Sequence, residues 1–222
     1  MNNVFRNSAV QVVEMAPSSL AVNEKNRKLV GLPEYSDSEF IDVLYLSGPH
    51  PNKRIHCLAQ IFLNLSKLDP RFRLVVTLPE GLYLDRVLSS FDQIGVSHLV
   101  VNVGPVEPSN ILEVFSSASA VINVARLESF SNNWVEAWAF SRPLIVSDYE
   151  WARASCGDAA IYVDVFNPRE AAQAIFDGVL SSRNRQSLIE EGFARLDALP
   201  SSEEKFCRYI AIIESLIELG AK

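Results

Sequence analysis

From Ile41 onward, short unbroken runs of Val, Ile and Leu alternate with stretches of helical spacing. This rhythm limits the fold more than any other feature of the chain. The apolar runs are IDVLYLSG (41–48), FRLVVTLP (72–79), HLVVNVG (98–104), SAVINVA (119–125), RPLIVSD (142–148) and AAIYVDV (159–165). Between them lie helical segments. In IHCLAQIFLNLSKL, for example, Ile55, Leu58, Ala59, Phe62 and Leu65 fall on one side. Ser109 is the expected N-cap of the helix in SNILEVFSSA, and NPRE supplies Asn at a cap, Pro at the first helical position and Glu170 at the third. Strands without polar alternation are buried on both faces. The expectation is therefore an α/β fold, a Rossmann-like parallel sheet of about six strands with helices on both faces.

Three segments follow from this rhythm. Residues 1–40 are polar with two prolines after a Val-rich start and read as a linker or an edge element. Residues 41–200 hold the sheet, and residues 201–222 form a C-terminal helix. Apolar content of 48% and charged content of 21% are ordinary for a globular protein. No window is apolar enough to span a bilayer, and the N-terminus lacks the basic start and apolar core of a secretory leader. Cys57, Cys156 and Cys207 make no CxxC pair and no even framework, which fits a reducing cytoplasm. A net charge of −7 argues against nucleic-acid binding, which needs a basic face.

In a parallel sheet, ligands sit beyond the carboxyl ends of the strands. The strand-to-helix loops GPHPNKR, TLPEG, GPVEPSN, ARLESFSNN and SDYEW are thus the candidate site. The most informative stretch is ESFSNNWVEAWAF, Glu128 to Phe140. Glu136 is the only ionisable side chain between Ser129 and Ser141, and a buried carboxylate is costly unless something hydrogen-bonds it. Ser131, Asn132 and Asn133 make a small, polar helix start, where free backbone N–H groups and the helix dipole suit a phosphate. Glu136, one turn in, has the chemistry to accept both hydroxyls of a ribose diol, and Glu128 to reach the next group along. Simple N-capping would also explain the Ser and Asn residues, though not the lone glutamate.

The loop from Gly48 to Arg54 brings Lys53 and Arg54 to a helix start and could hold a pyrophosphate or be a solvated basic turn. Gly104, Pro105 and Val106 form a firm loop able to wall a planar base, or an ordinary turn. There is no GxGxxG, GxxxxGK[ST] or GxSxG motif. His50, His56 and His98 have no metal-ligand spacing, so no metal and no cofactor is expected. Asp148, Asp158 and Asp164 read as turn or cap residues, and Trp134 and Trp138 as core.

Glu128 and Glu136 with seven residues between them, the LSGPHPNKR strand–Gly–Lys segment, the VGPV loop and CGDAAIYVDVFNP together resemble the retaining glycosyltransferases of "group 1" (family 4), over roughly residues 41–180. The resemblance implies one half of a GT-B fold, the C-terminal domain that binds a nucleoside-diphosphate sugar. It implies Glu136 on the ribose, Glu128 on the donor sugar, Lys53 on the pyrophosphate, Phe130 to Asn132 on the phosphates through backbone N–H groups, and Gly104 to Val106 on the base. It further implies transfer of a hexosyl group to a glycan or lipid-linked acceptor in surface-polysaccharide synthesis, with peripheral membrane association of the full enzyme. The helix around Phe206 to Leu219 resembles the one that crosses back to the N-terminal domain.

Three departures accompany the resemblance. Pro49 stands where the family usually has an Arg after Gly48, with Arg54 or Arg126 as substitutes, and Ser131 replaces the usual Gly. The 222 residues are expected to hold one such domain rather than two, so the chain reads either as a fragment or as a stand-alone donor-binding domain without the N-terminal acceptor domain. Two other readings stay open, a sugar-nucleotide epimerase-like domain and a non-catalytic α/β interaction module with Glu128 and Glu136 paired to protein groups.

Overall fold

The computed structural model describes Val13, Ala16 and residues 40–220. The linker or edge segment expected over residues 1–40 lies, apart from Val13, Ala16 and Phe40, outside the described residues. Six parallel strands form one sheet: β1 (Ile41–Tyr45), β2 (Phe72–Val76), β3 (Val100–Asn102), β4 (Ala120–Asn123), β5 (Leu144–Ser147) and β6 (Ile161–Val163). Their spatial order is β3-β2-β1-β4-β5-β6. The order reverses between β1 and β4, so the loops leaving those two strands diverge to opposite faces and open a crevice.

The helices in chain order are α1 (Leu58–Leu68), α2 (Leu82–Asp92), α3 (Ile111–Ser117), α4 (Asn132–Ala139), α5 (Glu150–Cys156), α6 (Pro168–Leu180), α7 (Ser182–Asp197) and α8 (Ser202–Gly220). Alternation within β1 sorts the two covering layers. Ile41, Val43 and Tyr45 join a cluster with Leu58, Phe62, Leu65, Val87, Phe91 and Ile175, which belong to α1, α2 and α6. Leu44 points the other way, into Phe115, Trp134, Trp138, Ala152 and Cys156 of α3, α4 and α5. The helical stripe read from the sequence holds: Ile55, Leu58, Phe62 and Leu65 are fully buried and Ala59 nearly so.

Three local features differ from expectation. Ser109 is not the cap of α3, because a 3-10 turn over Pro108–Asn110 takes its place. The run HLVVNVG yields a strand of three residues, its first part being the 3-10 turn Ser97–Leu99. SDYEW, expected as a strand-to-helix loop, is shorter than that, because Glu150 and Trp151 already belong to α5, a helix that no spacing pattern outlines. Only seven residues long, it buries just Ala152 and Cys156 fully, too few positions for a period to register.

Two devices fix α4, the helix that carries the candidate glutamate. Its end is a Schellman-type turn, with Ser141 at φ 57 and the Arg142 amide donating to the Ala137 carbonyl at 2.8 Å. Arg142, 4% exposed, then turns its guanidinium onto the last carbonyls of α3, Phe115 O at 2.8 Å and Ser116 O at 3.1 Å. A buried charge is tolerable there because it donates to carbonyls at a helix C-terminus, of which Phe115 O otherwise has the Ala118 amide at 3.3 Å. On the outer side, α7 packs on α4 through Gly192, where an added Cβ would lie 2.6 Å from Trp138 Cδ1. The last helix opens with a capping box, Glu204 N donating to Ser201 Oγ at 3.1 Å and Ser201 N to Glu204 Oε2 at 2.7 Å. It leaves Phe206, Tyr209, Ile213, Leu216 and Ile217 exposed.

Candidate functional site

At the crevice, the loop after β1 and the loop after β4 are stitched together by one side chain. The Asn52 amide donates to Leu127 O at 2.7 Å and accepts from Leu127 N at 3.2 Å, while Asn52 O accepts from Arg126 N at 2.9 Å. This clamp sets the neighbouring residues, Lys53 and Glu128, side by side. The Lys53 ammonium donates to Glu128 Oε1, with the two side chains 22% and 14% exposed. A pair so placed is partly desolvated and keeps both charges compensated while an anion can still reach the lysine.

Behind the pair runs a buried polar chain. Tyr45 OH donates to Lys53 O at 2.7 Å, with Asn123 Oδ1 at 3.3 Å. Asn123, fully buried at the end of β4, accepts from Ala125 N at 3.1 Å and donates to Ser131 Oγ at 3.2 Å. Burial pushes the Tyr45 phenol well above its ordinary pKa, so it stays a neutral donor. Asn133, in the first turn of α4, donates to Leu46 O at the end of β1. The start of α4 is therefore tied to both strands that flank the crevice.

Ser131 occupies the N-cap of α4 with extended backbone, yet its side chain makes no capping bond. Its hydroxyl is engaged by Asn123 instead, which leaves the first amides of α4 without the usual side-chain acceptor. Simple capping therefore does not account for this serine. Glu136 follows Asn132 by four positions and Asn133 by three, so all three share a face, and helical side chains lean toward the N-terminus. The residue is 8% exposed, and its Oε2 is buried without a hydrogen-bond partner. Burial alone raises its pKa above the usual glutamate value.

The other expected residues scatter more widely. Gly48 and Asn132 are exposed at the crevice loops, and Arg126 is exposed beside the Asn52 clamp. Phe130 packs edge-on against Trp134, ring centroids 5.6 Å apart. Arg54, in left-handed backbone at φ 53, turns away from Lys53 and donates to Tyr149 OH at 2.8 Å. Gly104, Pro105 and Val106 follow the edge strand β3, two strands from β1, and the Gly104 amide is held by Asn102 Oδ1 at 3.3 Å. Asp148 pairs with Arg153, and Asp164 caps the Phe166 amide at 2.9 Å, as turn and cap residues do. Sequence reasoning missed Tyr45, Asn52, Asn123 and Tyr149. The hydrogen bonds that place Asn52 against Leu127 and Tyr45 against Asn123 span 75 and 78 positions, and no local pattern announces such partners. Among the described residues, no group of three His, Cys, Asp or Glu side chains is placed to hold a metal.

The family model described as "Glycosyl transferases group 1" matches residues 41–178. No curated protein matches the sequence. Among solved structures, a glycosyltransferase from Rickettsia africae ESF-5 superposes with a TM-score of 0.73 at 17% identity, covering 93% of this chain and 57% of that one. An α,α-trehalose 6-phosphate synthase from Burkholderia multivorans gives 0.69 at 17% identity, covering 94% and 50%. A point mutant of S. aureus TarM, solved with fondaparinux, α-GlcNAc-glycerol and UDP, gives 0.68 at 15% identity, covering 82% and 37%. At these identities the likeness is one of fold, and the chain spans only 37% to 57% of the lengths of these three proteins.

Proposed function

This chain belongs to the glycosyl transferases group 1 family, and from that premise we propose that it is the nucleotide-sugar-binding half of a retaining, metal-independent glycosyltransferase. The observation that carries the proposal is Glu136. A carboxylate buried one turn into α4 with one oxygen unpartnered is destabilising in the free protein, and a ligand diol would complete it. The uncapped amides of α4 and the Lys53 ammonium lie along the same crevice and suit a diphosphate. Glu128, beside Lys53, is positioned for hydroxyls of the donor sugar.

The chemistry follows from charge. As the bond from the anomeric carbon to the diphosphate oxygen breaks, negative charge grows on the leaving group. Fixed donors aimed at that oxygen would lower the barrier, because they need no rearrangement as the charge appears. Once a phosphate engages Lys53, Glu128 is released from its ion pair to accept from the sugar. The acceptor would come from a second domain, and the proposed setting, surface-polysaccharide synthesis in the cytoplasm, rests on the family resemblance. The non-catalytic reading requires both glutamates to be paired within the protein, and Glu136 is not. Calorimetric titration with UDP, GDP and their hexose conjugates tests the proposal. Saturable heat with one nucleotide series supports it, and absence of heat with every one of them overturns it.

A further inference from the structure

Beyond the crevice, at the carboxyl ends of β5 and β6, a cavity of about 200 Å³ is lined by Arg54, Ser147, Asp148, Tyr149, Asp164 and Phe166 together with Val163 and Val165. At ~30 Å³ per water molecule it holds roughly seven waters, the space of one pyranose ring and too little for a nucleoside. Ser147, on its wall, is 2% exposed, and its hydroxyl oxygen is buried without a partner. The Arg54 guanidinium spends one N–H on Tyr149 OH and lies over the Phe166 ring, 5.1 Å from its centroid. Its backbone is left-handed at φ 53, and its guanidinium lies in this cavity on Tyr149 rather than on the Lys53–Glu128 pair. Phe166 is 76% exposed, so one edge of the cavity is an aromatic surface open to solvent.

The polar groups define the ligand. An anion would meet the carboxylates of Asp148 and Asp164, and a cation would meet Arg54. A neutral molecule that both donates and accepts faces no such penalty. Asp148 is already held by Arg153 at 2.5 and 2.8 Å, and Asp164 accepts from Phe166 N and Asn167 Nδ2 at 2.9 and 2.7 Å, yet each carboxylate has lone pairs to spare. Arg54 has unused N–H donors, and Tyr149 keeps its own proton. Aromatic faces at Phe166 and Tyr149 suit the apolar face of a sugar ring.

We infer that this cavity is a subsite for a single sugar ring, adjoining the crevice through Arg54. Its place in a transferase rests on the reading above; its affinity for sugar rests on the cavity alone. The ring could belong to the donor or to the acceptor, and two arms separate these. Isotope-labelled protein is titrated with methyl glycosides of glucose, galactose, mannose and N-acetylglucosamine at up to tens of millimolar, following the amides of Ser147 to Tyr149 and Asp164 to Phe166. In parallel, the affinity ratio of UDP-glucose to UDP, and of GDP-mannose to GDP, is measured. Phe166→Ala, on the surface, and Ser147→Ala, which removes an unpartnered hydroxyl, leave the fold intact and are run in both arms. Glycoside shifts that weaken about tenfold in the variants assign an acceptor ring. A sugar-to-nucleotide ratio that falls by a similar factor assigns the donor ring. Glycoside binding with no nucleotide binding removes the transferase reading and leaves the subsite standing. Neither glycoside shifts nor a changed ratio overturns the subsite, whatever the nucleotides do.

Discussion

On one side of the sheet, α1, α2 and α6 set Phe62, Phe91 and Ile175 against Ile41, Val43 and Phe72, all fully buried. On the other side, α3, α4 and α5 bury two tryptophans, a glutamate and an arginine in the space of a few turns. The first layer's unpartnered atoms, His56 Nδ1 and Tyr83 OH, sit at its rim, in the turn before α1 and the first turn of α2. The second layer carries Trp134 Nε1 and Glu136 Oε2 inside it, with Trp151 Nε1 on a half-buried side chain at its edge. The trio Trp134, Trp151 and Tyr149 stacks in sequence, centroids 5.8 and 5.9 Å apart, and runs from α4 to the cavity at β5 and β6. The difference separates two tasks. One layer is close to saturated with apolar contact and holds the sheet. The other tolerates unmet polar groups beside the crevice, which costs stability and leaves hydrogen-bonding capacity for a ligand.

Substitutions break this comparison in order of size. Phe62→Ala, in the apolar layer, is expected to lower stability by about 3–5 kcal/mol in denaturant unfolding, with nucleotide affinity unchanged wherever the protein stays folded. Arg142→Ala strips two helix-end carbonyls of a charged donor and is expected to cost about 2–4 kcal/mol by the same measurement. Gly192→Ala, despite the better helix propensity of alanine, drives a methyl into Trp138 and should cost about 1–2 kcal/mol, loosening α7 from α4. The smallest effect sharpens rather than breaks the contrast. Burial raises the Glu136 pKa in the folded state, so its favourable contribution is complete below the unfolded carboxyl's pKa and is lost as pH rises through the folded one. Stability of the wild type should decline across that window, and Glu136→Gln should flatten the decline.

The same contrast marks what the sequence could disclose. Strand runs and the α1 stripe were legible because burial on a sheet or along a helix repeats at a fixed period, and Glu136 stood out because it breaks one. The resemblance singles out Lys53 and Glu128 separately, but their ion pair, formed across 75 positions, has no signature in the sequence. Asn52, Tyr45 and Asn123 were not legible, since a single amide or phenol that bridges two distant loops leaves no mark on its neighbours. Adjacency groups Arg54 with Lys53, whereas in the fold its guanidinium lines a different cavity.

In the proposed function, Glu136 is held at a cost because a ligand uses it. Thermal unfolding of the wild type and of Glu136→Gln, each with and without the nucleoside diphosphate that binds best, tests it most directly. The expected result is a variant that melts higher than the wild type when both are free, and a nucleotide-induced rise in melting temperature that is smaller in the variant than in the wild type. A variant that melts lower, or that keeps the full nucleotide-induced rise, would contradict it.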